Sequence, residues 1–177
     1  MEEMDMLAAG TSADPLAPLR NLGEEGVNCE AYLRRARAVL QDFVARPERI
    51  PFADLKRDPK AYTRNLLFGD DRLSIWAIVW PPGSSTSIHD HHCSCCFGVA
   101  RGALEERWFD AIGDGRAALT NIAVREPGYV ACMLPSGPNI HQMRNRGDEE
   151  VVTVHIYGFD HTQKASSIET EYSEALR

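Results

Sequence analysis

The chain has 177 residues, 44% of them hydrophobic and 25% charged, with a formal net charge of -7. That length supports one domain with a sizeable core rather than two, and the composition argues against a disordered or fibrous chain. The dispersed acidic excess leaves no basic face for phosphates or anionic lipid, which argues against nucleic acid and membrane surfaces as partners.

Residues 1–22, rich in Gly, Ser, Ala and Pro, read as a flexible arm. Their acids stand where a secretory signal needs bases, and Gly10, Asp14 and Pro15 break the apolar run. No stretch approaches the ~18 to 20 apolar residues of a transmembrane helix, so the expected location is cytoplasmic. From Cys29 to Arg46, Ala31, Leu33, Ala36, Val39, Leu40 and Phe43 recur at three- and four-residue intervals ahead of Pro47, which predicts an amphipathic helix.

From Leu66 onward the pattern changes to short apolar runs punctuated by Gly, Pro, Asp and Asn. Strands are expected over Leu73–Trp80, Ser87–Arg101, Ala103–Phe109, Ala118–Val124, Tyr129–Leu134, His141–Asn145 and Val151–Tyr157. Many short strands at this spacing predict a mainly β fold, a sandwich or barrel. After Asp160 the chain is polar, and a short C-terminal helix and a frayed end fit equally well. The expected organisation is an arm over 1–22, one domain with an N-terminal helical part over 23–160, and a tail over 161–177.

The segment Ser87-Ile-His-Asp-His-His-Cys-Ser-Cys-Cys96 concentrates the chemistry. On a strand, side chains alternate, so His89 and His91 share a face while Asp90 and His92 point the other way, His92 towards solvent. A third imidazole, His141, follows a Pro135-x-Gly137 turn and meets the first two only if antiparallel strands fold back, as in a small barrel. A structural zinc site usually needs two ligand pairs, and Cys29 and Cys132 are both single. With five cysteines, an odd number, and no export signal, no disulfide framework is expected. Cys29 and Cys132 read as packing residues. A lone His-x-His on a strand is more often a pair of satisfied histidines than a ligand pair; the surrounding residues reverse that preference.

Gly83-SSTSI-His89-Asp-His91, with Gly102 downstream, resembles the first motif of the cupins. Gly128-YVACML-Pro135-Ser-Gly137-PNI-His141-QMR-Asn145 resembles the second, with one extra residue in each of two gaps. Together they imply a small β-barrel, or jelly roll, with a metal in its mouth. The glutamate most cupins carry after His-x-His is absent, with Cys95 in its place. Two further segments narrow the resemblance: Ala61-Tyr62-Thr63-Arg64-Asn65-Leu66-Leu67 is similar to the substrate-binding segment of cysteine dioxygenases, and Thr153-Val-His155-Ile-Tyr157 to their Ser-x-His-x-Tyr strand.

That resemblance implies one mononuclear non-haem Fe(II) held by His89, His91 and His141, with a small thiol carboxylate and O2 as partners and a sulfinate as product. It implies that Arg64, with Tyr62 beside it, holds the substrate carboxylate, for which a guanidinium fork is suited. Thr153, His155 and Tyr157 share one strand face, so a hydroxyl can orient the imidazole and the imidazole the phenol. Mammalian-type relatives join a cysteine to this tyrosine as a thioether; counting back from Gly102 places Cys95 there, and a one-residue bulge would substitute Cys96. Leu73-SIWAIVWPPG and Phe97-GVARG instead look like the bacterial branch, which includes 3-mercaptopropionate dioxygenases, whereas Arg64 leans towards L-cysteine. Ser94, where bacterial relatives often carry tryptophan, is expected to enlarge the pocket and admit bulkier thiols. A non-catalytic metal-binding cupin sensor is the reading from a different class.

Overall fold

The computed structural model describes residues 17–20, 22 and 26–175. The first sixteen residues of the arm read from the sequence lie outside the described residues. Its end does not behave as an arm: Leu19, in the short helix α1 (Ala17–Arg20), and Leu22 are both buried against the main helix and the sheet.

Helix α2 (Glu30–Val44) buries Tyr32, Leu33, Ala36, Leu40, Phe43 and Val44, a stripe at helical spacing. Tyr32 and Val44 take inward places where the periodicity had offered Ala31 and Val39, of which Ala31 is exposed and Val39 half-buried. The helix lies close on the sheet because strand β4 (Cys95–Arg101) presents Gly98: a Cβ there would stand 2.8 Å from Val44 Cγ1 and 3.2 Å from Leu40 Cγ. Arg37 ties the two layers by donating from Nη1 to the Val130 carbonyl at 2.8 Å.

The rest is β, as the spacing predicts. One sheet has the order β1-β2-β9-β4-β7, built from β1 (Thr63–Gly69), β2 (Ser74–Trp80), β9 (Val151–Tyr157), β4 (Cys95–Arg101) and β7 (Val130–Met133). The other five, β10 (Ile168–Glu174), β3 (Ile88–His91), β8 (His141–Arg144), β5 (Leu104–Gly113) and β6 (Arg116–Arg125), close on themselves, with β10 pairing antiparallel to β3 and parallel to β6. No helix among the described residues is long and apolar enough to cross a membrane.

Three expectations are corrected here. The single strand read over Ser87–Arg101 is two, β3 and β4, in different sheets. At the bend between them the backbone bonds outward: His92 N donates to the Ser167 carbonyl at 3.2 Å and Ser94 N to Asn28 Oδ1 at 2.7 Å. Strand β1 was not read, because its half-buried, polar start Thr63-Arg64-Asn65 lacks alternation. The tail over 161–177 is neither helix nor frayed end across Ile168–Glu174. Its polar residues form β10, held by Asp90, which accepts from Thr170 N at 2.7 Å and Tyr172 Oη at 2.8 Å.

Gly102 closes the β4–β5 turn at φ +71°, a left-handed conformation that favours glycine. A Cβ there would also meet Val151 Cγ2 at 2.9 Å. This turn sends β5 back along the barrel with Glu106 on its buried face.

Candidate metal centre

Alternation along β3 turns His89 and His91 inward, and His141 at the start of β8 stands directly opposite His89 across the antiparallel pair. All three are buried, and their ligand nitrogens lie within 4.8 Å of one another. The Nε2 atoms of His91 and His141 are 3.1 Å apart. Two nitrogens about 2.1 Å from one ion and at a right angle stand ~3 Å apart, so this spacing fits a shared ion.

Each ring is held from behind. His89 Nδ1 lies 3.0 Å from the Ser87 carbonyl, which can only accept, so Nδ1 carries the hydrogen and Nε2 keeps its lone pair. His91 Nδ1 lies 3.2 Å from Ser167 Oγ, and His141 Nδ1 3.1 Å from Glu106 Oε1. Outward-bonded Nδ1 and inward-facing Nε2 is the arrangement by which outer groups orient metal-binding imidazoles. Burial, then the neighbouring His141, lowers His89 from its ordinary 6.5 to about 3 and holds His91 well below its ordinary value. Both are therefore neutral, the form that ligates. The donor set fits one divalent transition-metal ion with open positions.

Glu106 was not found from the sequence. It is fully buried, and its Oε2 accepts from Arg125 Nε at 2.8 Å. Burial alone would raise its carboxyl, but the hydrogen bonds from His141 and Arg125 and the charge of Arg125 outweigh this and hold it below its ordinary value. The carboxylate missing beside His-x-His thus has a counterpart behind His141, where it would offset part of a bound ion's charge from the far side of the imidazole. The available signal was an acid two residues after Leu104, at a position where strand parity demands an apolar side chain.

The third strand of the site is β9. Thr153 Oγ1 lies 2.8 Å from His155 Nε2, His155 Nδ1 3.0 Å from Tyr157 Oη, and Trp80 Nε1 donates to Thr153 Oγ1 at 2.8 Å. Burial keeps His155 well below and Tyr157 well above their ordinary values, so both are neutral. Tyr62, Arg64, Trp80, His89, His141 and Tyr157 line one cavity, with Ser166, Ser167 and Ile168 on its C-terminal side. Arg64 on β1 donates from Nη1 to the Ala165 carbonyl at 3.0 Å and stacks 4.3 Å over Trp76, while its buried Nη2 has no hydrogen-bond partner among the described residues. Tyr62 stacks against Trp80 with ring centroids 4.9 Å apart.

The cysteines divide by face. Cys95 is the register partner of Tyr157 across β4–β9 and is buried in the cluster that contains it. Burial pushes its thiol well above its ordinary value. Cys96 lies on the helix side, and with Cys132 opposite it on β7 forms a disulfide with Cα atoms 4.0 Å apart. That corrects both the expectation of no disulfide and the reading of Cys132 as a packing thiol; Cys29, also read as packing, is exposed at the start of α2. His92 is half-buried rather than solvent-exposed, its Nε2 3.0 Å from the Ser166 carbonyl. Ser94 is fully buried and bonded to the Val27 carbonyl, outside the cavity lining, so its size does not enlarge the pocket.

A family model for cysteine dioxygenase type I matches residues 2–166. Cysteine dioxygenase type 1 of Rattus norvegicus is 36% identical over 115 residues, which cover 62% of this chain and 54% of the rat chain. That of Bos taurus is 30% identical over 166 residues, 89% of this chain and 78% of the bovine one. The match to the rat relative therefore spans about half of that relative's length. Among solved structures, a Klebsiella pneumoniae protein with a double-stranded β-helix domain aligns at TM-score 0.53 and 15% identity, covering 69% of this chain and 88% of that one, a likeness of fold alone.

Proposed function

Since the chain belongs to the cysteine dioxygenase type I family, we propose that it is a mononuclear non-haem Fe(II) thiol dioxygenase that converts L-cysteine and O2 to cysteine sulfinate. The observation that carries this reading is Arg64, which lines the same cavity as His89 and His141 and keeps a buried guanidinium nitrogen without a partner among the described residues. A buried donor left unpaired costs about 1–3 kcal/mol, and a substrate carboxylate supplies the partner. A small thiol carboxylate held there directs its sulfur at the three imidazoles.

Bound Fe(II) supplies a Lewis acid for the thiolate and electrons for O2. The chain's own groups do the rest. Arg64 fixes the carboxylate, Tyr62 and Trp80 wall the cavity, and Tyr157 offers a hydroxyl beside the sulfur. His155 and Thr153 hold that hydroxyl in place. The net change, R–SH plus O2 to R–SO2H, puts both oxygen atoms on sulfur and needs no external electron donor.

The register of Cys95 against Tyr157 supports a thioether between Cys95 Sγ and the Tyr157 ring. Its formation breaks the S–H bond and one ring C–H bond and passes both hydrogens to O2, which leaves as hydrogen peroxide. With the Cys96–Cys132 disulfide first reduced, intact mass after turnover lies two hydrogens below that of the unmodified chain if the thioether forms; an unchanged mass rejects it.

One observation favours 3-mercaptopropionate as a second reading: among the described residues lining the cavity none is acidic, so no side chain there pairs with a cysteine ammonium. O2 uptake by Fe(II)-loaded protein, with each thiol in turn, separates the two. Uptake with cysteine supports the first reading, uptake mainly with mercaptopropionate the second, and silence with every small thiol rejects the enzyme in favour of a metal-binding sensor.

A further inference from the structure

The polar groups on the inner face of β9 form a hydrogen-bonded chain whose direction is fixed at one end. Trp80 Nε1 lies 2.8 Å from Thr153 Oγ1, Thr153 Oγ1 2.8 Å from His155 Nε2, and His155 Nδ1 3.0 Å from Tyr157 Oη. An indole N–H can only donate, so Thr153 is an acceptor towards Trp80. A threonine hydroxyl has one hydrogen to give, and among the described residues its other partner is His155 Nε2. Thr153 is fully buried, and a buried donor without an acceptor is costly. The hydroxyl hydrogen therefore goes to Nε2. The neutral ring then carries its own hydrogen on Nδ1 and donates it to Tyr157 Oη, so the phenol hydrogen is left for the cavity.

We propose that Trp80 is a positioning residue that sets the tautomer of His155 and thereby makes Tyr157 a hydrogen-bond donor into the cavity rather than back towards His155. Two aromatic contacts keep the chain in line. Phe97 stacks on the His155 ring at 5.6 Å and 22°, and Tyr62 packs against the Trp80 indole. The consequence for turnover rests on the dioxygenase reading, whereas the tautomer is a property of the chain alone.

The test is 15N NMR of histidine-labelled, Zn(II)-loaded protein, with the His155 signals identified by their loss in His155→Gln. In the wild type, His155 Nε2 is expected to be unprotonated and Nδ1 protonated; a protonated Nε2 overturns the proposal without any variant. Trp80→Met removes the donor and places a thioether, which can only accept, beside Thr153. The threonine hydrogen is then expected to turn to it, with His155 reversing so that Nε2 carries the hydrogen. An unreversed ring in folded Trp80→Met protein overturns the role of Trp80. In Fe(II)-loaded protein the same variant is expected to lower kcat to the level of Tyr157→Phe. Reversal of the ring with unchanged turnover leaves the tautomer standing and overturns the role given to Tyr157.

Discussion

Strand β9 is buried at every position, but its two faces are built differently. Val152, Val154 and Ile156 pack towards α2 in a cluster with Ala36, Leu40 and Phe43. Thr153, His155 and Tyr157 face inward and are joined to one another and to Trp80 by hydrogen bonds. Strand β4 repeats the division, with Cys96 and Ala100 outward and Cys95, Phe97 and Val99 inward. A period of two therefore lets one strand serve two interiors. The outer face contributes apolar burial that fixes the sheet against the helix. The inner face places polar groups in low dielectric, where they persist because their partners are supplied.

The sharpest way to break this division is His141→Ala. It is expected to abolish tight metal binding and O2 uptake while far-UV circular dichroism and the unfolding transition stay near wild type. Metal retained at full stoichiometry would contradict the three-histidine centre. Next, Tyr157→Phe keeps the metal and the carboxylate contact and is expected to lower turnover on the order of 10²-fold, the usual loss on removing one aligned donor. On the other face, Ile156→Ala is expected to cost about 2–5 kcal/mol in denaturant unfolding with metal affinity unchanged at temperatures where the variant is folded. A variant that instead lost metal at unchanged stability would show that the faces are not independent.

A smaller effect is expected at Glu106→Gln. The amide still accepts from His141 Nδ1 but loses the charge, so metal affinity should fall about 10–100-fold in a chelator competition. A further expected effect is pH-dependent and confined to the metal-free protein. Burial lowers His89 from its ordinary 6.5 to about 3. Between those values the unfolded chain binds a proton that the folded chain does not, so stability is present above pH 6.5 and is lost as pH falls towards 3. His91 and His155, lowered by the same burial, add to that loss. Thermal unfolding across this range reads it, and a flat profile would contradict neutral buried imidazoles.

What the sequence revealed depended on periodicity and close motifs. His89 and His91 share a face by alternation, and the Pro135-x-Gly137 turn announced His141, so the cluster of three imidazoles was legible. The inner face of β9 was legible for the same reason. Glu106 was not, because its partner His141 is 35 residues away and only the β5–β8 pairing brings them together. Ser167 was hidden by polarity: it lies just ahead of β10 in a stretch that reads as a tail and reaches the cavity only because β10 pairs with the distant strand β3. The bend after His91 was missed because the polar groups that hold it, Asn28 and Ser167, belong to other parts of the chain.

Under the proposed function, the inward histidines and the Arg64 nitrogen that has no partner among the described residues together commit the cavity to adding O2 to a thiol. Turnover of L-cysteine by the Fe(II)-loaded protein under 18O2, with the product read by mass spectrometry, tests this. A sulfinate carrying two labelled oxygens is expected. Product with one label or none, or no product from any small thiol carboxylate, would contradict it.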